Sequence, residues 1–303
     1  LTNGSVNNPL QTVTKERKEL KKKLFVPVLA LTLTVALAAC SGGGAAPAPS
    51  ASAAPAPSAE TITLTIGASP TPHAQILEQV APILAEQGIN LEIVEYTDYV
   101  IPNTAVEEGE NDANYFQHQP YLDTFNADNG THLVSVAAIH YEPFGVYAGR
   151  TASLEELPDG AAIAIPNDGS NEARALYLLE AEGFITLNHS VAFANTTPLD
   201  IVDNPKNLQF REMEAAMLPN SLEDVDCAVI NGNYALDAGL SIADALAAED
   251  PESISAQTYA NIIVVKEGNE NNAAIQALIA ALQSDAVRDY INNTFSGAVV
   301  PIF

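Results

Sequence analysis

Basic residues are scarce. The 303-residue chain holds 12 Lys and Arg against 38 Asp and Glu, a formal net charge of −26. Half of the bases (Lys15, Arg17, Lys18, Lys21, Lys22 and Lys23) fall before residue 24, so only six serve the rest of the chain, and from Cys40 onward the formal charge is −30. Such a surface repels phosphate backbones and anionic headgroups, which excludes nucleic acid as a partner. Cysteines number two and histidines five, at positions 73, 118, 132, 140 and 189. No two histidines are close in sequence, and neither HExxH nor CxxC occurs, so no metal site and no cofactor are expected. GxSxG is absent, and no Ser/His/Asp arrangement stands out, which argues against an enzyme.

What is present begins with a processing signal. After a polar leader, residues 16–23 read ERKELKKK and residues 24–39 read LFVPVLALTLTVALAA. A basic run, an apolar run and small residues before Cys40 make an export signal over 1–39. The alternative, a signal anchor, would need about 20 apolar residues to cross a bilayer. Leu37-Ala38-Ala39-Cys40 resembles a bacterial lipobox, which marks Cys40 for lipidation and the product for the extracytoplasmic face of a membrane. Cys227, in the apolar stretch CAVI, is then alone, and a buried structural thiol is the expected reading. Residues 41–60, SGGGAAPAPSASAAPAPSAE, lack large apolar side chains and read as a flexible tether.

From Thr61 the pattern changes. TITLTIGA (61–68) alternates as a strand, residues 73–87 carry an apolar helical stripe interrupted by Pro82, and INLEIVEY (89–96) is a second strand. Thr71-Pro72 is expected to start that helix, and Pro82 to kink or split it. Further strands are expected at 112–115, 132–139, 144–148, 161–165, 207–213, 226–230 and 259–265. Helices are expected at 103–108, 120–127, 172–182, 233–239, 271–283 and 285–292, with a helical turn at 154–157. This is an α/β chain in which strand and helix alternate and no internal sequence repeat is evident.

Three stretches stand out because each lies at or near the end of an expected strand, where open α/β sheets gather their ligands. NYFQHQPYL (114–122) is too polar for a core strand and too apolar for a solvated loop. Phe116 and His118 share a face by period two and could wall an aliphatic chain or thioether, or half of the cluster's rings could be ordinary core. Tyr121 reads as core. In IPNDGSNEAR (165–174), Asn171 is the expected N-cap and Arg174 sits in the expected first turn, against the helix dipole. A bound carboxylate would compensate Arg174; so would an internal salt bridge, and a solvated surface position is the third option. In VINGNYA (229–235), Asn231 suits either end of a zwitterion or a plain turn cap.

Read together, DYVIPNTAVEEGENDANYFQHQPYLDTF (98–125), AIPNDGSNEAR (164–174), DIVDNPKNLQF (200–210) and AVINGNYA (228–235) resemble the methionine-binding lipoproteins, the substrate-binding subunits of bacterial methionine ABC importers. The likeness spans nearly all of 61–303. It implies a two-lobed periplasmic-binding-protein-like fold of type II with a ligand cleft between α/β lobes, one formed by 61–148 plus 252–303 and the other by 149–251. It implies a lipid-anchored monomer that binds L-methionine and passes it to an ABC permease. Sibling ligands are D-methionine, a methionine-containing dipeptide or another apolar amino acid, and an adhesin or chaperone role is a weaker alternative. By the same resemblance Phe116, His118 and Tyr141 line the side-chain region and Tyr96 adds a wall. Arg174 grips the carboxylate, and Asn171, Asn231 and Asn233 bind the polar ends. The chain departs from the family at Pro82, in the proline-rich SPTPH (69–73), and at Glu172-Ala173 before Arg174. Glu172 could pair with that arginine.

Overall fold

A computed structural model describes residues 61–252 and 257–303. The export signal, Cys40 and the tether expected over 41–60 lie outside the described residues. No helix among the described residues is long and apolar enough to cross a membrane.

The first half of the fold follows the expected alternation. Strand β1 (Ile62–Ala68) leads into helix α1 (Gln75–Glu86) and strand β2 (Ile89–Glu95), then α2 (Ile101–Glu108), β3 (Ala113–His118), α3 (Gln119–Asn129) and β4 (Leu133–Tyr141). As expected, helical backbone starts at Pro72: Thr71 is extended (φ −123°, ψ 133°) ahead of a cis peptide bond, and a wider helical turn ending at Ala74 runs directly into α1 at Gln75. Pro82 does not split α1, because the stripe of Ile76, Leu77, Val80 and Leu84 is buried along its whole length. Each such buried side chain contributes about 1.5–3 kcal/mol, which together outweigh the ~3 kcal/mol interior penalty of one proline.

The chain then changes sheets. Strand β5 (Gly145–Ala148) is followed by β6 (Ala162–Pro166), α4 (Gly169–Ala181) and a small ribbon of β7 (Thr186–Leu187) with β8 (Ile201–Asp203). Next come β9 (Gln209–Met213), β10 (Cys227–Ile230), α5 (Gly232–Asp237) and β11 (Ala247–Ala248). Strand β12 (Asn261–Lys266) returns to the first sheet, covered by α6 (Ala273–Leu282) and α7 (Asp285–Phe295), and β13 (Val300–Pro301) closes its edge. Residues 154–157 form the expected turn, with the Leu157 N–H donating to the Leu154 carbonyl (3.3 Å). Strand β5, expected with the first lobe, pairs antiparallel with β10 and β11 in the second sheet.

The strand orders expose a repeat that the sequence hides. The first sheet runs β13-β4-β12-β3-β1-β2 and the second β11-β5-β10-β6-β9. Setting β13 aside, each sheet has its first strand between its second and third, joined by parallel pairing. In each, the strand arriving from the other sheet (β12 or β5) lies antiparallel between the third and fourth. Two cores follow. One sits under α1, α6 and α7 around Leu64, Ile66, Leu77 and Leu278, and the other packs α4 on β6 and β10 through Ile163, Leu176 and Val229. Cys227 is buried in the second, and burial pushes its thiol up to about 12, which leaves it inert.

One glycine is held by backbone alone. A Cβ on Gly149 would meet the carbonyl oxygens of Val225 at 2.4 Å and Leu222 at 2.6 Å. These atoms belong to the chain running into β10 and cannot rotate away. Gly149→Ala is expected to lower stability by about 1–3 kcal/mol, read as a shifted urea midpoint. An unchanged midpoint would mean that the 222–226 segment yields freely.

Candidate functional site

The C-terminal ends of β3, β4, β6 and β10 meet in one place. The loops and helix starts that follow them border a narrow void of about 20 Å³, lined by Tyr99, Phe116, Tyr121, Glu142, Arg174, Asn231 and Asn233. Convergence at strand C-termini is the expected place for a ligand in an open α/β sheet.

Strand β3 explains the odd composition of NYFQHQPYL. All six of its residues are buried between β1 and β12, so residues 114–118 are core strand after all, and the rest of the stretch opens α3. Its polar side chains are satisfied internally. Asn114 Nδ2 donates to Asn103 Oδ1 (2.8 Å) and to the Pro102 carbonyl (3.1 Å), Gln117 Nε2 donates to Asn103 Oδ1 (2.6 Å), and Asn103 Nδ2 donates to Gln117 Oε1 (3.0 Å). A buried amide is tolerated on these terms. This ladder anchors β3 and leaves Phe116 and His118 at the void.

His118 is also the N-cap of α3, and this fixes its tautomer. Its Nδ1 accepts from the Tyr121 backbone N–H (3.2 Å), so Nε2 carries the proton and donates to Asn171 Oδ1 (3.1 Å). Burial, and the nearby Arg174 charge after it, hold the imidazole neutral, its pKa lowered to about 3. Asn171 Oδ1 also accepts from Asn231 Nδ2 (2.9 Å). Asn231 Oδ1 is left without a partner, and so is Asn233 Nδ2, whose own Oδ1 accepts from the Tyr99 hydroxyl (2.6 Å). An orphan acceptor and an orphan donor therefore border the same void, and both are buried. Unmet polar groups cost about 1–3 kcal/mol each, so they point to an occupant with both polarities.

Glu142 is the carboxylate at this void. Its Oε1 accepts from His140 Nε2 (2.7 Å) and lies 3.5 Å from both His73 Nε2 and Asn261 Nδ2. The Tyr115 phenol hydrogen-bonds His140 Nδ1. Both bonds are satisfied when the phenol donates to Nδ1 and Nε2–H donates to the carboxylate. Burial raises the Glu142 pKa, and His73 and Arg174 oppose it. The sequence has no close histidine pair, but folding brings the His73 and His140 ring centroids to 4.9 Å. His73, His140 and Glu142 could in principle hold a metal, since their donor atoms lie within 4.8 Å of one another. Both Nε2 atoms are already engaged, His73 by Asn261 Oδ1 at 2.9 Å and His140 by Glu142, while the buried His73 Nδ1 has no hydrogen-bond partner among the described residues.

Arg174 is paired inside the protein. Its Nε donates to Glu249 Oε1 (2.8 Å), and its Nη2 to Glu249 Oε2 (2.5 Å) and to the Glu142 carbonyl (3.1 Å). Its guanidinium carbon stands 4.1 Å from the Tyr259 ring centroid and 4.8 Å from that of Phe144. Burial works against the cation, and Glu249 more than offsets it, so Arg174 stays charged. The helix begins earlier than the sequence reading placed it. Asp168 is the N-cap, its side chain accepting from Asn171 N–H (3.1 Å), and Arg174 lies past the first turn. The dipole conflict expected of Arg174 therefore does not arise. The salt bridge held open as an alternative is present, with Glu249 and not Glu172 as partner.

Of the residues singled out in the sequence, Phe116, His118, Asn171, Arg174, Asn231 and Asn233 border the void. Tyr96 does not: it lies beside Gly67 and accepts from Asn111 Nδ2 (3.1 Å), while Tyr99 supplies the wall. Tyr141 donates to Glu249 Oε2 (2.6 Å) and stands behind Arg174. Tyr121 is 8 % exposed, is packed on Phe116 and Phe125, and borders the void too. Glu142 was missed, although it is the one acid in the apolar run 133–148. Glu249 gave no signal among so many acids.

Two α/β halves with a polar and aromatic void where their strand ends meet define a substrate-binding protein. The chain belongs to the NlpA lipoprotein family, whose model matches residues 64–303. It is 40% identical over 241 residues to the methionine-binding lipoprotein MetQ of Bacillus subtilis, covering 78% of this chain and 87% of that one. Among solved structures it is similar to an ABC transporter periplasmic substrate-binding protein from Coxiella burnetii, at 40% identity and a TM-score of 0.74, covering 79% of this chain and 100% of that chain. A nutrient binding protein from Burkholderia cenocepacia, bound to methionine, is similar at 42% identity and a TM-score of 0.74, with the same coverage.

Proposed function

We propose that the protein is a lipid-anchored extracytoplasmic receptor that binds L-methionine between two lobes and delivers it, as a monomer, to an ABC permease. The observation that carries this reading is the pair of orphan groups, Asn231 Oδ1 and Asn233 Nδ2, at a void that also has a cation and a carboxylate at its border. An amino acid zwitterion answers all four. Its carboxylate would meet Arg174 and Asn233, and its ammonium would meet Glu142 and Asn231. The rings of Tyr99, Phe116 and Tyr121 suit a thioether, since sulfur packs favourably against aromatics. The methionine-bound relative supports the same ligand. The lobes divide where the chain passes between sheets, at 142–144 and again after Glu249. Lipidation at Cys40 and the tether would keep the receptor near its permease and raise the local concentration. Binding occurs without chemistry.

The described residues from Thr61 onward form one compact unit, which suits calorimetry on protein starting at Thr61. After unfolding and refolding to strip carried-over ligand, L-methionine, D-methionine, leucine and Gly-Met are titrated. L-methionine is expected to bind most tightly. Silence toward it with heat from another of the four would transfer the function to a sibling importer, and silence toward all four would sink the amino-acid reading.

A further inference from the structure

Arg174 borders two spaces. One is the void just described. The other is a cavity behind it, bordered by Arg174, Tyr177, Phe193, Glu249 and Tyr259. Glu249 borders only the second, so it approaches the guanidinium from behind and does not reach the void. We propose that Glu249 is a positioning residue that aims Arg174 at the ligand's carboxylate; this rests on the receptor reading above.

The guanidinium is held from several sides. The rings of Tyr259 and Phe144 lie against it, with centroids at 4.1 and 4.8 Å. Glu249 takes the Nε and Nη2 edge with both oxygens. The remaining Nη2 hydrogen goes to the Glu142 carbonyl. Nη1 makes no hydrogen bond among the described residues, and the fork is left with one free end. Glu249 is fixed in turn, its Oε2 accepting from the Tyr141 hydroxyl (2.6 Å) and the Phe144 N–H (3.1 Å). Tyr141 ends the first sheet's β4, Phe144 precedes the second sheet's β5, and Glu249 follows β11. The arginine that would hold the ligand is thereby tied to both passages between the sheets. Paired with Glu249, Arg174 is also neutralised, so specificity for a carboxylate rests on where Nη1 points more than on bare charge. Burial raises the Glu249 pKa, and Arg174 with Tyr141 pulls it below the usual carboxylate range, which keeps the pair ionised.

The test uses full-chain protein, Glu249→Gln and Tyr141→Phe, titrated with L-methionine and with L-methioninol, which carries a hydroxymethyl group in place of the carboxylate. Glu249→Gln is expected to weaken L-methionine at least tenfold and methioninol less than threefold. Tyr141→Phe keeps the ion pair and serves even where Glu249→Gln does not fold; about a threefold loss is expected, again confined to L-methionine. Equal losses for both ligands would reduce Glu249 to a structural part. Tighter methionine binding by Glu249→Gln would make Glu249 a competitor for the fork, and unchanged binding would leave it without a role; either overturns the proposal. Wild-type protein that ignores L-methionine removes the receptor reading and this inference with it, an outcome distinct from wild-type binding that Glu249→Gln leaves intact.

Discussion

Replacing Arg174 with alanine is expected to abolish L-methionine binding, by at least a hundredfold, and to cost about 3–5 kcal/mol of stability, since removing one member of a buried pair strands the other charge. Two effects are superimposed in that variant. The Glu249 side chain is 9 % exposed and would lose the partner that holds it ionised, while the ligand would lose its carboxylate contact. The double variant Arg174→Met/Glu249→Leu separates them. Replacing a whole buried pair with apolar side chains is often neutral or stabilising, so the double variant is expected to regain most of the stability and none of the binding. Urea unfolding and calorimetry on both proteins read the two quantities independently. If Arg174→Ala still bound L-methionine within tenfold of wild type, the arginine would be a structural ion pair and no more.

Acid is expected to destabilise the protein from about pH 6.5 downward, through its buried histidines. Burial lowers the pKa of His73 to about 4 and those of His118 and His140 to about 3. In the unfolded chain these rings take up protons near pH 6.5, and in the fold they resist until pH 3–4. Between those limits the unfolded state binds more protons, so stability present above pH 6.5 is lost as pH falls. For His73 alone the shift corresponds to roughly 3 kcal/mol. Glu142 acts in the opposite sense. Its raised pKa gives stability that is present below about 4.5 and lost as pH rises through the folded value, and burial raises Asp168, Asp237 and Glu172 (to about 7) in the same sense, so four acids offset part of what three histidines contribute. The urea midpoint is expected to fall from pH 7 to pH 4.5. A midpoint that stayed level down to pH 5 would mean that a histidine is already charged in the fold, with His140 paired to an ionised Glu142 as the first suspect.

Much of the architecture was legible because the strands of both sheets are short, β-branched and separated by amphipathic helices. What escaped had physical reasons. Strand β3 was cut short because Asn114 and Gln117 look exposed until Asn103, more than ten residues earlier, is folded against them. The start of α4 was misplaced because Asp168 and Asn171 are both good caps, and only the folded loop shows Asp168 accepting from Asn171. Tyr96 and Tyr99 differ by three residues, and the turn after β2 decides which ring reaches the void. The arginine's true partner is 75 residues away, and nothing local marks Glu249 among its neighbours Asp250 and Glu252. Asn231 and Asn233 were readable as polar ends, but the orphan atoms that make them informative belong to the folded state alone.

The antiparallel strand lent by the second half of the chain has a consequence for biogenesis. Strands β3 and β4 each hydrogen-bond to β12, which stands between them. Until residue 266 has emerged, the first sheet has two unsatisfied edges facing each other across a gap one strand wide. A chain delivered across a membrane from its N-terminus therefore cannot complete its first half before its second half has passed through. The early portion must wait unpaired, as an edge open to aggregation, and closure depends on a contact across more than 120 residues, the kind of long-range pairing that makes folding slow. An acidic chain that repels its own copies is well suited to that wait.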